Sequence, residues 1–221
     1  MSPVNNPGSL FVIVAPSGAG KTSLVRALLQ DESDVRLSVS FTTRSPRPGE
    51  RDGIDYRFVS VSDFEHRRAE GEFLEWARVH DNLYGTSRAW IESQMSAGQD
   101  IILEIDCQGA EQVKRLYPDA VGIFIAPPSI EELARRLRAR AQDSEAVIQR
   151  RIDAAQAELS QAGHFEYVII NQDFGTALEQ LRAVVRAARL RYSRQRARNP
   201  DRKSTRLNSS HEWISRMPSS A

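Results

Sequence analysis

The chain has 221 residues, 40% of them hydrophobic, with 30 Lys and Arg against 29 Asp and Glu and a single cysteine, Cys107. That length suits one domain with room for inserted subdomains and a core needing no structural metal, and a lone cysteine excludes an intrachain disulfide framework of the secreted kind. A net charge of +1 excludes a globally basic nucleic-acid binder, although all but Lys21, Lys114 and Lys203 of the positive charges are arginines.

The first apolar run, Leu10 to Ala15, is six residues long, against roughly 20 needed to span a bilayer. No basic segment precedes it, so the expectation is a soluble, cytoplasmic protein. Leu10-Phe-Val-Ile-Val14 is continuously apolar, as a strand buried on both faces should be. Thr22 to Gln30 follows with Leu24, Ala27 and Leu28 at helical spacing. From Val35 to Trp90 the texture changes to shorter alternating segments broken by Ser45-Pro-Arg-Pro-Gly49 and Asp52-Gly53, which predicts a small strand-rich insertion.

Ile101 to Ile105, Val121 to Ile125 and Tyr167 to Ile170 are further central strands, the first two joined by a helix near Gly109 to Leu116. Strands alternating with longer amphipathic stretches predict an α/β fold on a largely parallel sheet. Ser62-Asp-Phe-Glu65, Ser129-Ile-Glu-Glu132 and Thr176-Ala-Leu-Glu179 carry the capping-box pattern and predict helix starts. The charged stretch from Glu131 to Ile152 is expected to be helical with a break around 141–144. A last helix is expected from Thr176 to about Arg198, its seven arginines forming a solvated or inter-subunit face. Residues 200–221 are Ser-rich without apolar periodicity and are expected to be disordered. A vector or read-through scar is one hypothesis for them, which the same codons in frame at the native locus would sink.

Ala15-Pro-Ser-Gly-Ala-Gly-Lys-Thr22 links the first strand to the first helix. Its glycines let backbone amides cradle phosphate oxygens, the helix N-terminus adds positive potential, Lys21 reaches the β- and γ-phosphates and the Thr22 hydroxyl can ligate Mg²⁺. Ala15 stands where the usual pattern begins with Gly. The loop indicates nucleotide binding without separating a kinase from a GTPase, a motor or a switch. Ser40, Thr42, Arg44, Arg47 and Tyr56 then gather guanidiniums and hydroxyls in one loop-rich segment, a combination suited to a second phosphate. Asp106 follows a central strand, where ligands of open α/β sheets collect. Cys107 has no nearby His or second Cys to make it a nucleophile or a metal ligand.

The motifs Ala15-Pro-Ser-Gly-Ala-Gly-Lys21, Ser38-Val-Ser40, Thr42-Thr-Arg-Ser-Pro-Arg47, Phe73-Leu-Glu75, Tyr84-Gly-Thr86 and Ile105-Asp-Cys-Gln-Gly109, in this order, closely resemble those of the bacterial guanylate kinases. The resemblance runs from about Leu10 to Arg198. It implies a P-loop nucleoside monophosphate kinase fold: a parallel-sheet core (about 8–37, 89–128 and 156–199), an inserted strand-rich GMP-binding subdomain (38–88) and a helical lid (129–155). It also implies transfer of the γ-phosphoryl group of ATP to GMP or dGMP, with Mg²⁺.

On that resemblance Ala15, Pro16, Ser17, Gly18, Ala19, Gly20, Lys21, Thr22 and Ser23 hold the ATP phosphates. Asn171, in an adenine-proximal Asn-x-Asp segment, touches the ATP base. Ser40, Arg44, Arg47, Tyr56 and Tyr84 hold the GMP phosphate, while Glu75, Thr86 and Asp106 read the guanine. Lys21, Arg44, Arg136, Arg140 and Arg151 carry catalysis. Ala139 and Ala141 stand where the family often has glycines flanking the middle lid arginine. ATP and GMP are the expected partners, with no nucleic acid or membrane, and a homo-oligomer is left open. Two rivals stay open on the residues alone: a catalytically silent module holding a phosphopeptide in the GMP-phosphate pocket, and a kinase of another acceptor nucleotide.

Overall fold

The computed structural model describes residues 8–79, 81–139 and 144–198; Arg140 and the tail from 200 onward lie outside these. The chain opens with β1 (Leu10–Val14), α1 (Lys21–Asp31) and β2 (Val35–Leu37). It then enters the insertion, which comprises β3 (Phe41–Thr42), β4 (Arg57–Phe58), α2 (Val61–Ala69), β5 (Phe73–Val79) and β6 (Asn82–Ser87). After α3 (Arg88–Ser96) come β7 (Asp100–Glu104), α4 (Cys107–Leu116) and β8 (Val121–Ala126). The helices α5 (Ile130–Ala139) and α6 (Glu145–Leu159) precede β9 (Tyr167–Ile170), α7 (Phe174–Arg189) and α8 (Tyr192–Arg198).

Five strands form one all-parallel sheet in the order β2-β7-β1-β8-β9. Side chains of a strand alternate between faces, so a strand covered on both sides must be apolar throughout. The β1 strand shows this: Phe11 and Ile13 pack with Leu24 and Leu28 of α1 and Leu181 and Val185 of α7. Leu10, Val12 and Val14 pack on the opposite face with Ile91, Met95 and Val113. Among the described residues no helix is long and apolar enough to cross a membrane.

The insertion forms a second sheet, β4-β3-β6-β5, over a small core of Phe41, Phe64, Phe73 and Leu83. Phe64 and Phe73 stack with centroids 4.5 Å apart. Between β5 and β6 the register shifts by one residue: Phe73 faces Ser87, yet Glu75 faces Thr86. Such a bulge re-aims the side chains beyond it. Here it leaves Phe73, Leu74 and Glu75 all buried in sequence and sets Glu75 directly against Thr86.

Helix starts differ from the capping signals. At α2 the cap is Ser60, whose hydroxyl accepts from the Asp63 amide at 3.0 Å, because Ser60 is extended and Ser62 already helical. At α7 Asp173 caps, accepting from both the Thr176 amide and hydroxyl at 2.8 Å, so the helix begins upstream of Thr176. Ser129 does accept from the Glu132 amide at 3.2 Å, but the Glu132 carboxylate turns to Arg135 and Arg136. Only half of that capping box forms.

The last predicted helix is interrupted after Arg189, and several of its arginines are engaged within the chain rather than only solvated. Arg182 pairs with Asp31 and Glu179, and Arg186 with Glu32. Arg189 sits between Glu32 and Asp100 at 2.7 Å from each. Arg191 donates to the Asp119 carbonyl and Arg194 to that of Gly8. These contacts staple the helix to the N-terminal ends of the strands, and no Gly or Pro marks the break in sequence.

Candidate functional site

At the other end of the sheet, the C-terminal end of β1 runs into the phosphate-loop sequence and then α1. Gly18 and Gly20 adopt φ of 93° and 95°, the left-handed region that a side chain disfavours. Gly20 is the N-cap of α1 and brings no side chain to its first turn. The orphan amides of that turn are thus left for an anion, reinforced by the helix dipole. Lys21 donates to the Ile105 carbonyl at 3.2 Å, which lays its ammonium across the end of β7.

A cavity of about 310 Å³ opens over this loop. Three further walls enclose it: Ser40, Arg47, Tyr56, Glu75 and Tyr84 from the insertion, Glu104, Ile105 and Asp106 at the end of β7, and Arg151 and Glu158 from α6. Sequence-distant residues therefore meet where parallel strands end, the usual ligand position in open α/β sheets.

Glu75 is 3% exposed and accepts from the Thr86 hydroxyl at 2.5 Å. The same hydroxyl lies 3.4 Å from that of Ser40. Burial pushes the Glu75 carboxyl up to about 7, against the lowering pull of Thr86 and with Asp106 adding to the rise. Its Oε2 lies so near Gly109 that a Cβ there would approach to 2.5 Å; a side chain at 109 would displace it. Asp106 caps α4, accepting from the Gly109 amide at 2.8 Å and from Gln108 at 3.2 Å. Two carboxylates and a hydroxyl thus converge on one corner of the cavity, a set suited to a base edge rich in N–H donors.

Arg47 faces the cavity, whereas Arg44 does not line it. The Arg44 guanidinium pairs with Glu50 at 2.8 Å, donates to the Ser45 carbonyl and lies 5.3 Å from the Tyr56 ring centroid. Glu50 also accepts from the Arg47 amide at 2.7 Å, so one carboxylate closes the Ser45-Pro-Arg-Pro-Gly49 loop and holds both arginines. Tyr56 and Tyr84 pack edge to face at 6.0 Å.

Of the other expected residues, Ala15, Pro16, Ser17, Thr22, Ser23 and Arg151 line the cavity. Ala19 is buried beneath the loop and Thr86 behind Glu75. Arg136 pairs with Glu132 at 2.8 Å and donates to the Asn171 carbonyl at 3.0 Å. Asn171 is buried, its amide on the Ala19 carbonyl.

Two charged cavity residues, Glu104 and Glu158, escaped the sequence reading. Glu104 is the one charge within an otherwise apolar strand segment, a signal that could have flagged it. Burial raises its pKa, Lys21, Arg26 and a Thr22 hydrogen bond pulling it down, and its Oε1 is buried with no hydrogen-bond partner among the described residues. Glu104 and Thr22 together offer hard oxygen donors, which fit Mg²⁺ rather than a soft metal. Glu158, on a charged helix with no distinguishing pattern, is pushed by burial to about 6, lowered by Lys21 and raised by Asp106. Burial also lifts the Cys107 thiol to about 11, Glu158 and Asp106 contributing, so it stays protonated and unreactive at neutral pH.

Residues 8–188 match the family model described as guanylate kinase. The guanylate kinase of Dechloromonas aromatica is 59% identical over 192 residues, covering 87% of this chain and 95% of that one. That of Aromatoleum aromaticum is 58% identical over 193 residues, with the same coverage. Among solved structures, the guanylate kinase of Anaplasma phagocytophilum superposes with a TM-score of 0.73 at 33% identity, covering 86% of this chain and 90% of that one.

Proposed function

This chain belongs to the guanylate kinase family, and we propose that it transfers the γ-phosphoryl group of ATP to GMP, or dGMP, giving ADP and GDP in the cytoplasm. The observation that carries the reading is a phosphate loop and a buried carboxylate corner opening into one cavity. Guanine presents N1–H and an exocyclic amine beside an O6 acceptor, so Glu75 and Asp106 accept from the first two. Adenine places an acceptor at N1 and would leave a buried carboxylate unpaired, which supports discrimination of roughly 10⁴-fold.

The GMP phosphate is assigned to Ser40, Arg44, Arg47, Tyr56 and Tyr84; Glu50 holds the Arg44 guanidinium beside this wall and the Arg47 backbone amide. Its oxygen is the nucleophile and at neutral pH is already ionised, so no strong general base is needed. Catalysis then consists of positioning and charge neutralisation. The loop amides and Lys21 hold the ATP phosphates. Arg136, Arg140 and Arg151 belong to a lid, residues 129–155, that closes over the transferring group and excludes water. Mg²⁺ entering with ATP would be held by Thr22 and Glu104, where it neutralises phosphate charge.

The direct test is ADP formation from ATP and Mg²⁺ with GMP, dGMP, AMP, UMP and CMP as separate acceptors. Turnover confined to the guanine nucleotides is expected. Activity with AMP alone would overturn the base assignment, and none with any acceptor would leave a binding module.

A further inference from the structure

Asn171 follows β9 and continues its ladder, its amide donating to the Ala126 carbonyl at 2.8 Å. Its side chain is 5% exposed and donates from Nδ2 to the Ala19 carbonyl at 2.7 Å, across 152 residues of sequence. A carbonyl can only accept, so this contact settles which end of the amide faces the loop. The fit is close: a Cβ built on Gly20 would lie 2.3 Å from Nδ2, so the amide rests where a side chain would otherwise stand.

Asn171 also meets the helices on the far side. Its own carbonyl accepts from Arg136, and α5 packs Leu133 and Leu137 against Gly18, where an added Cβ would meet both at 3.1 Å. The loop is therefore held between α5 and the end of β9. Its Ala19 carbonyl is taken up by Asn171 in this clamp, while Gly18, Gly20 and Lys21 on either side of Ala19 line the cavity.

We propose that Asn171 is a positioning residue of the phosphate loop: its side-chain amide fixes the Ala19 peptide, and hence the phosphate-binding amides, rather than touching the nucleotide base. This rests on the reading of the loop as the ATP site. A base contact acts only on ligands that carry a base, whereas a loop brace acts on any polyphosphate the loop holds.

Calorimetric titration with Mg²⁺-ATP and with Mg²⁺-tripolyphosphate separates the two roles. Asn171→Asp keeps the shape, removes the donor and sets an oxygen against the Ala19 carbonyl; Asn171→Ala removes the donor without adding charge. Both should weaken ATP and tripolyphosphate by the same factor, about tenfold or more for the aspartate, while GMP affinity stays within about twofold. ATP weakened with tripolyphosphate unchanged would overturn the proposal in favour of a base contact. An equal loss of GMP affinity would overturn it as general disruption of the fold. Wild-type protein that binds neither polyphosphate would overturn the ATP-site reading itself.

Discussion

Glu75→Gln should make the protein more stable and less able to use GMP, with the stability gain appearing only as pH rises. The Glu75 carboxyl is 3% exposed and titrates at about 7, mainly because burial penalises its charged form. In the unfolded chain it titrates near 4.5, the ordinary value. Between those pH values the folded protein holds a proton that the unfolded chain has released, so stability falls as pH rises through the window. The integrated cost is about 3 kcal/mol, fully present above pH 7 and absent below about 4.5. Glutamine does not ionise, yet its carbonyl can still accept from Thr86. Urea denaturation of both proteins at pH 5 and pH 8 should show the variant's advantage widening at the higher pH. An equal difference at the two values would refute the buried-carboxylate reasoning. Kinetics on the same samples should show kcat/KM for GMP reduced roughly 100-fold or more, with KM for ATP unchanged.

The same titration predicts that wild-type kcat/KM for GMP falls as pH drops below about 7, since guanine needs the ionised acceptor; Glu75→Gln, which keeps every other titration, should lose that component. Gly109→Ala puts a Cβ 2.5 Å from Glu75 Oε2, and steady-state kinetics should show KM for GMP raised several-fold while KM for ATP and the denaturation midpoint change little. Lys21→Met should cut turnover by about 10³-fold or more, with GMP affinity by calorimetry intact. Arg189→Met removes the guanidinium paired with Asp100, 0% exposed, and leaves Glu32, 8% exposed, with Arg186 alone, and should cost about 3 kcal/mol in denaturation. Because Asp100 begins β7 and the cavity lies past its end, KM for both substrates should be unchanged in the protein that folds.

Periodicity alone located four of the five central strands: β1, β7 and β8 are buried on both faces, which demands an uninterrupted apolar run, and β9 is apolar although Val168 and Ile170 are exposed, whereas β2, three residues with Arg36 exposed, left no such run. The phosphate loop was equally legible, since its glycines answer a local need for positive φ at Gly18 and Gly20. Helix starts at Ser60 and Asp173 were missed by two or three residues, because several Ser, Thr and Asp near each start could cap and only the path of the chain chooses among them. Glu158 had no signal at all: its face of α6 turns toward the cavity only through packing.

What the sequence by itself determined is the inventory, namely a parallel α/β core, a loop built for phosphates and an inserted strand-rich segment with two arginines and a carboxylate. Family motifs then assigned roles to that inventory. The tertiary structure decided where each group points. A one-residue bulge in β5 turns Glu75 inward onto Thr86, Glu50 draws Arg44 off the cavity wall, and Asn171 spends its amide on the phosphate loop. Arg182 and Arg189, within a stretch that in sequence read as a solvated or inter-subunit face, instead pair with carboxylates at the opposite edge of the sheet. The physical reason is common to all four: local patterns report what a residue needs from its neighbours in sequence, whereas register, burial and ion pairing are set by partners that only folding brings near.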